Sequence, residues 1–231
     1  MGRVNSFGIF YICLVGVAGY TYLKNFLYQS LAVFDTGKGL VMHTYGAFYG
    51  LVISYFISKS GLGEKKKQKR DNRYFYQHIA ALGFLFLFVL FPILNSVANN
   101  ETLESKCKIC PLREDKNKNE KIIIMFNSFF AVLGSASAAL LLTWTSKIKF
   151  NQIIYCGLAG GVISASIVNF IPYNVVFFVF GFFGALITKL CMEYLTPFLE
   201  KYGLEDGRWS LSMHGIPGLL SAIFSILLAS L

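Results

Sequence analysis

The chain is 231 residues long, 55% apolar and only 14% charged, with 23 Phe and 13 Tyr. Ordinary soluble domains carry about a quarter charged residues, and disorder needs low hydrophobicity with high charge, so both classes are excluded. A formal charge of +9 suggests nucleic acid until its distribution is considered: seven of the 21 basic residues fall in Lys59–Arg73, against Glu64 and Asp71 alone, a local net of +5. No nucleic-acid partner is expected. Basic loops between spans are retained on the cytoplasmic side, so the excess reads as a topology signal in a polytopic, all-α membrane protein.

Runs of about 20 apolar residues are long enough to cross a hydrocarbon core of about 30 Å. Hydropathy and loop punctuation predict seven spans, near Phe7–Leu27, Gly39–Ser58, Tyr76–Ala98, Ile122–Thr145, Gln152–Ile171, Asn174–Phe198 and Trp209–Leu231. The first is the weakest, with Gly8, Gly16 and Gly19 inside it and Lys24-Asn25 at its end. With Lys59–Arg73 cytoplasmic, the loop Asn99–Lys121 is extracellular; Lys147, Lys149 and the segment Lys201–Arg208 fall inside, and the uncharged turn Pro172-Tyr173 falls outside. Membrane lipids are the surrounding medium, and the basic run could also meet anionic head groups.

Cys13, Cys156 and Cys191 lie in spans, where Cys behaves as a small hydrophobe. Cys107 and Cys110 form a CxxC in the extracellular loop, for which a disulfide is the preferred reading over redox chemistry or half a zinc site. There is no second CxxC and no nearby His, so no metal site is expected. Gly-rich phosphate loops, hydrolase elbows and metalloprotease signatures are absent as well, and the chain reads as neither an enzyme nor a cofactor protein.

Ionisable residues in hydrocarbon are costly and mark function. His43 and His214 are the two histidines well inside spans, and their contexts match: Asp35 and Asp206 stand eight residues before them, a Gly lies within two residues after each Asp, and Met42 and Met213 directly precede the imidazoles. An Asp at a helix start accepts hydrogen bonds from free amides, and eight residues at 1.5 Å each set the His about 12 Å deeper. The second and seventh spans enter from opposite faces, so the two histidines approach a common level, as in an inverted repeat with a central site. A single intramembrane His is often only a hydrogen-bonding residue between helices; a matched pair is better read as a site. Two neutral imidazoles offer donors and acceptors without fixed charge, suiting a small neutral molecule, one that could derive from a cation losing its proton at the entrance. Asp35 and Asp206 could attract that cation at the two mouths, although capping alone also explains them. Axial ligation of a b-type haem by the pair is the alternative.

At these residues the chain resembles the Rh (Rhesus) glycoprotein branch of the Amt/MEP/Rh ammonium transporter family. The matching stretches are MHTYGAFYGL at 42–51, NS at 95–96, GLAGGV at 157–162, YLTPFLE at 194–200 and HGIPG at 214–218, in the family's order. The resemblance implies one membrane domain over residues 1–231, a homotrimer in the plasma membrane, and ammonia or ammonium as the substrate of a hydrophobic pore. It implies that His43 and His214 are the paired pore histidines and that Asp35 and Asp206 are the vestibule acids. The chain corresponds to the family's fourth through tenth spans, so the resemblance implies a partial inverted repeat lacking three earlier helices, a later one and the tail. Those first three helices supply about half the family's pore wall and one of its two gate aromatics. The other gate Phe aligns with Leu94, Phe91 lies one turn away and could substitute, and Tyr155 replaces the usual Asn. A longer transporter, a partner-completed pore and a non-conducting subunit all remain open at this point.

Overall fold

The computed structural model describes residues 5–31, 33–59, 74–103, 117–145, 148–206 and 209–230. Among them every regular element is helical. Helix α1 (Ser6–Asn25) continues through a wider, π-type turn at Phe26–Ser30. A second π turn, Gly39–Thr44, leads into α2 (Tyr45–Ile57). Then come α3 (Tyr74–Leu103), α4 (Asn117–Thr145), α5 (Phe150–Ser164) and α6 (Asn174–Leu190), the last running on through Cys191–Leu195 into α7 (Thr196–Lys201). A final π turn, Leu211–Gly215, opens α8 (Ile216–Ala229). Among the described residues, six helical stretches are long and apolar enough to cross a membrane, and the chain is an integral, multi-pass membrane protein. Most of Lys59–Arg73, the middle of Asn99–Lys121, and Cys107 and Cys110 within it lie outside the described residues.

The fifth span differs from its sequence expectation of Gln152–Ile171. Its helix stops at Ser164 and the chain passes through turns over residues 165–170. Fifteen residues rise only about 22 Å, less than a hydrocarbon core. Irregular backbone is tolerated at membrane depth only where protein covers it and supplies its hydrogen bonds. Both conditions are met: Ser166, Ile167, Val168 and Asn169 are buried, and the Asn127 side-chain amide donates to the carbonyls of Val168 (2.8 Å) and Ile171 (3.0 Å). Apolar periodicity continues through Ile167 and Val168, which is why hydropathy alone runs past the break.

The densest packing joins α4, α5 and α6. Every α5 residue from Cys156 to Ser164 is buried, because this helix is surrounded by the others. Small residues permit the approach: a Cβ added at Gly160 or Gly181 would strike the Ala131 carbonyl, and one at Gly134 would strike that of Phe178. By contrast, no residue of α1 is buried. It is fastened to α2 by two tyrosine hydroxyls, Tyr45 donating to the Gly16 carbonyl (2.9 Å) and Tyr49 to that of Ile12 (2.6 Å).

Gly181→Val and Gly160→Val are therefore expected to destabilise the bundle by about 1–3 kcal/mol or more through overpacking. Gly46→Ala, where an added Cβ meets nothing within 4 Å, should leave the melting temperature in detergent unchanged. Thermal melts of the purified variants check both.

Candidate functional site

Two turns of the same design carry the histidines. In the first, the buried Asp35 carboxylate accepts from the amides of Leu40 and Val41, both at 3.0 Å, and from the Ser166 hydroxyl at 2.6 Å. In the second, Asp206 accepts from the amides of Leu211 (3.3 Å) and Ser212 (3.4 Å). The bonded amides thus lie five and six residues after the acid in both copies. The third residue after each acid, Lys38 or Trp209, adopts a left-handed conformation with φ of 59° or 54°. Its own amide closes a tight turn on the acid's carbonyl, at 3.2 Å in the first copy and 3.0 Å in the second. Four residues further on, Met42 and Met213 each donate to the carbonyl of that left-handed residue, both at 2.9 Å. The π turn that follows carries the imidazole.

The turns sit at opposite ends of the bundle. At the far end of α2, the Ser54 hydroxyl donates to the Glu205 carbonyl (2.9 Å), next to Asp206. Ser225, toward the far end of α8, donates to the Phe34 carbonyl (2.5 Å), next to Asp35. The two histidine-bearing segments are therefore antiparallel and meet in the interior. Their rings lie face to face, with centroids 5.1 Å apart and planes within 2° of parallel. Phe91 extends the stack on the other face of His43, at 5.7 Å and 13°. His43 Nε2 and His214 Nδ1 are buried and make no hydrogen bond within the described protein.

Close approach at this point depends on glycines of the HGIPG stretch and the first turn. A Cβ at Gly218 would lie 2.6 Å from both the Gly39 carbonyl and the Thr44 hydroxyl, and one at Gly39 would lie 2.5 Å from the Ser166 hydroxyl. The Ser166 amide, freed by the end of α5, donates to the Ser221 hydroxyl (2.9 Å), and the Gly37 amide donates to the Ala165 carbonyl (2.8 Å). The break in α5 thus completes the Asp35 turn.

His43, His214 and Phe91 are brought together, and Asp35 and Asp206 stand at opposite ends of the bundle. Leu94 is not part of the cluster; its side chain is 46% exposed on the outer surface of α3. Phe91 instead presses against Gly161, where an added Cβ would meet its ring at 2.5 Å. Both carboxyls are inside the protein and engaged with their own turns, so they present no open face to an arriving cation. Burial pushes the Asp35 carboxyl above the ordinary value of 3.8, opposed by the hydrogen bonds from Ser166 and from the amides of Val41, Leu40 and Gly39. Asp206 is shifted the same way, also by burial, with its amide and Ser212 bonds acting against it. Sequence reasoning missed Ser166, Ser221 and Asn127, which act across long separations, and it passed over the left-handed residues. A shared position three after each Asp was the available signal for the latter.

A bis-histidine haem does not fit these rings. Axial ligands point a nitrogen at the iron from opposite sides, whereas these imidazoles lie flat against each other with no room for a macrocycle between them. Among the described residues no three His, Cys, Asp or Glu side chains gather into a metal-sized group.

The all-helical multi-pass bundle shares its fold with a solved Rh channel. The Rh50 channel of Nitrosomonas europaea superposes with a TM-score of 0.70 at 21% identity, covering 94% of this chain and 54% of that one. The profile of the Ammonium Transporter Family matches residues 5–231, and the chain belongs to that family, in its Rh branch. Ammonium transporter Rh type C of Canis lupus familiaris is 28% identical over 233 residues, covering 100% of this chain and 47% of that protein. Ammonium transporter Rh type B of Rattus norvegicus is 26% identical over 235 residues, with 100% and 48% covered. The chain spans about half the length of these relatives.

Removing the Asp35 cap, as Asp35→Ala, strands two amides and a hydroxyl in the interior, at roughly 1–3 kcal/mol for each buried group left unsatisfied. It is expected to lower the melting temperature more than Asp206→Ala, whose bonds are longer. The raised Asp35 carboxyl also gives a pH signature. Between 3.8 and the higher folded-state value the folded protein holds a proton the unfolded chain releases, so stability should fall as pH rises through that window. Asp35→Asn should remove that part of the slope, read by melts at several pH values.

Proposed function

We propose that this chain forms, or forms part of, a path that passes ammonia across a membrane, with ammonium shedding its proton at the mouth. Membership of the ammonium transporter family supports the substrate class. The observation that carries the site is the stacked imidazole pair, delivered to one point by antiparallel segments. Each neutral imidazole has one donor and one acceptor nitrogen. Together they offer a small solute hydrogen bonds where the surrounding side chains, such as Phe91, Val162 and Met213, offer none. A bare monovalent cation would face an idealised cost of order 20 kcal/mol on leaving water for such an interior, so the neutral form is the one that crosses. Asp35 and Asp206 act by holding the turns that present the imidazoles.

The reading extends to a homotrimer in the plasma membrane, with Lys59–Arg73 cytoplasmic, Asn99–Lys121 extracellular and Cys107 paired with Cys110. A second reading is favoured by one observation: no residue of α1 is fully buried and the outward side of α3, including Leu90, Ile93, Leu94 and Val97, is exposed. A pore-completing partner could cover those faces, the chain alone being silent.

Proteoliposomes holding the protein are expected to alkalinise internally faster than empty vesicles on a jump in ammonia. His43→Ala and His214→Ala should change the rate or admit ions. Stopped-flow fluorescence with an entrapped pH dye reads this; flux no faster than empty liposomes from the wild type and from every variant would leave only the subunit reading.

A further inference from the structure

We infer that Tyr155 and Trp209 form an aromatic constriction closing the Asp206 end of the histidine path, and that it limits the size of the amine that passes. This rests on the transport reading above. The first observation is backbone strain. Trp209 has φ of 54°, a region that a bulky side chain rarely adopts and that glycine occupies freely. The turn demands this conformation, since Lys38 shares it in the other copy. Such strain persists where the surroundings hold it, and here they bury the side chain.

That side chain is buried and meets the Tyr155 ring edge to face, with centroids 5.6 Å apart and planes at 77°. Trp209 comes five residues before His214, between the imidazole and the Asp206 end. Tyr155, projecting from α5, bridges two layers. It packs against the cluster that includes Phe91 and Met213, at the level of the imidazoles, and against the one that includes Trp209, Cys156 and Met192. The two aromatics therefore link the histidine layer to the Asp206 turn. At the Asp35 end the left-handed residue is Lys38, and the edge-to-face pair beside the acid is Phe34 and Phe170, with centroids 4.7 Å apart.

The test compares wild-type chain, Trp209→Gly and Tyr155→Ala in proteoliposomes challenged with ammonia, methylamine or ethylamine. Trp209→Gly removes the indole while suiting the turn, and Tyr155→Phe, which keeps the ring, serves as control. Opening the constriction should raise the rate of methylamine relative to ammonia about tenfold, within the range a hydrophobic pocket achieves per methylene, while Tyr155→Phe keeps the wild-type ratio. A merely structural role would lower all rates together. If both opening variants conduct ammonia with the ratio unchanged, the constriction is overturned and the histidine path stands. If wild type is silent and Trp209→Gly conducts, the constriction is supported as a closed door. Folded protein that is silent in all forms overturns both readings.

Discussion

The organisation of the interior follows from the cost of leaving amides unbonded away from water. Where a helix begins inside the bundle its first N–H groups have no partner, and in hydrocarbon no solvent supplies one. Asp35 and Asp206 each take two such amides, five and six residues downstream. Reaching that far forces a tight turn, a left-handed residue three positions after the acid, and a widened π turn beyond. The widened turn is where the imidazole sits. A single requirement, satisfied twice, thus fixes the depth and direction of both rings.

The copies are equal in plan and unequal in tightness. At the Asp35 end the carboxylate gains the Ser166 hydroxyl, and Ser221 holds the Ser166 amide. At the Asp206 end the bonds are longer: the Ser212 hydroxyl donates to the carboxylate at 3.5 Å and lies 3.2 Å from the Thr196 hydroxyl. The difference traces to α5, which breaks beside Asp35 and lends its freed backbone to that turn. A buried helix made of Cys156, Gly157, Ala159, Gly160 and Gly161 among larger residues can come close enough to do so.

Much of this was readable in the residues. The matched Asp-to-His spacing on oppositely directed spans, the apolar runs and the ordered motifs led to a helical membrane bundle with a central histidine pair, and the rings do meet. The π turns were not readable, because they arise from the reach of a carboxylate and leave no composition of their own. The stop at Ser164 was hidden for a related reason: Ile167 and Val168 are as apolar as a helix would need, and the bonds that replace the helix come from Asn127, 41 positions away from Val168. The alignment of Leu94 with a gate position was a statement about register. The face of α3 turned to the interior carries Phe91, Asn95 and Ser96, while Leu94 points outward.

The attachment of α1 has a consequence for handling the molecule. Two of its ties to the rest are phenol groups, from Tyr45 and Tyr49, reaching helix carbonyls that already serve the helix's own ladder. In a lipid tail region nothing competes for those oxygens, and these ties persist. Water or polar surfactant would offer substitutes for both partners. The grip of this segment is thus a property of the surrounding medium as much as of the fold, and the first helix is the part whose seating solubilisation most directly weakens.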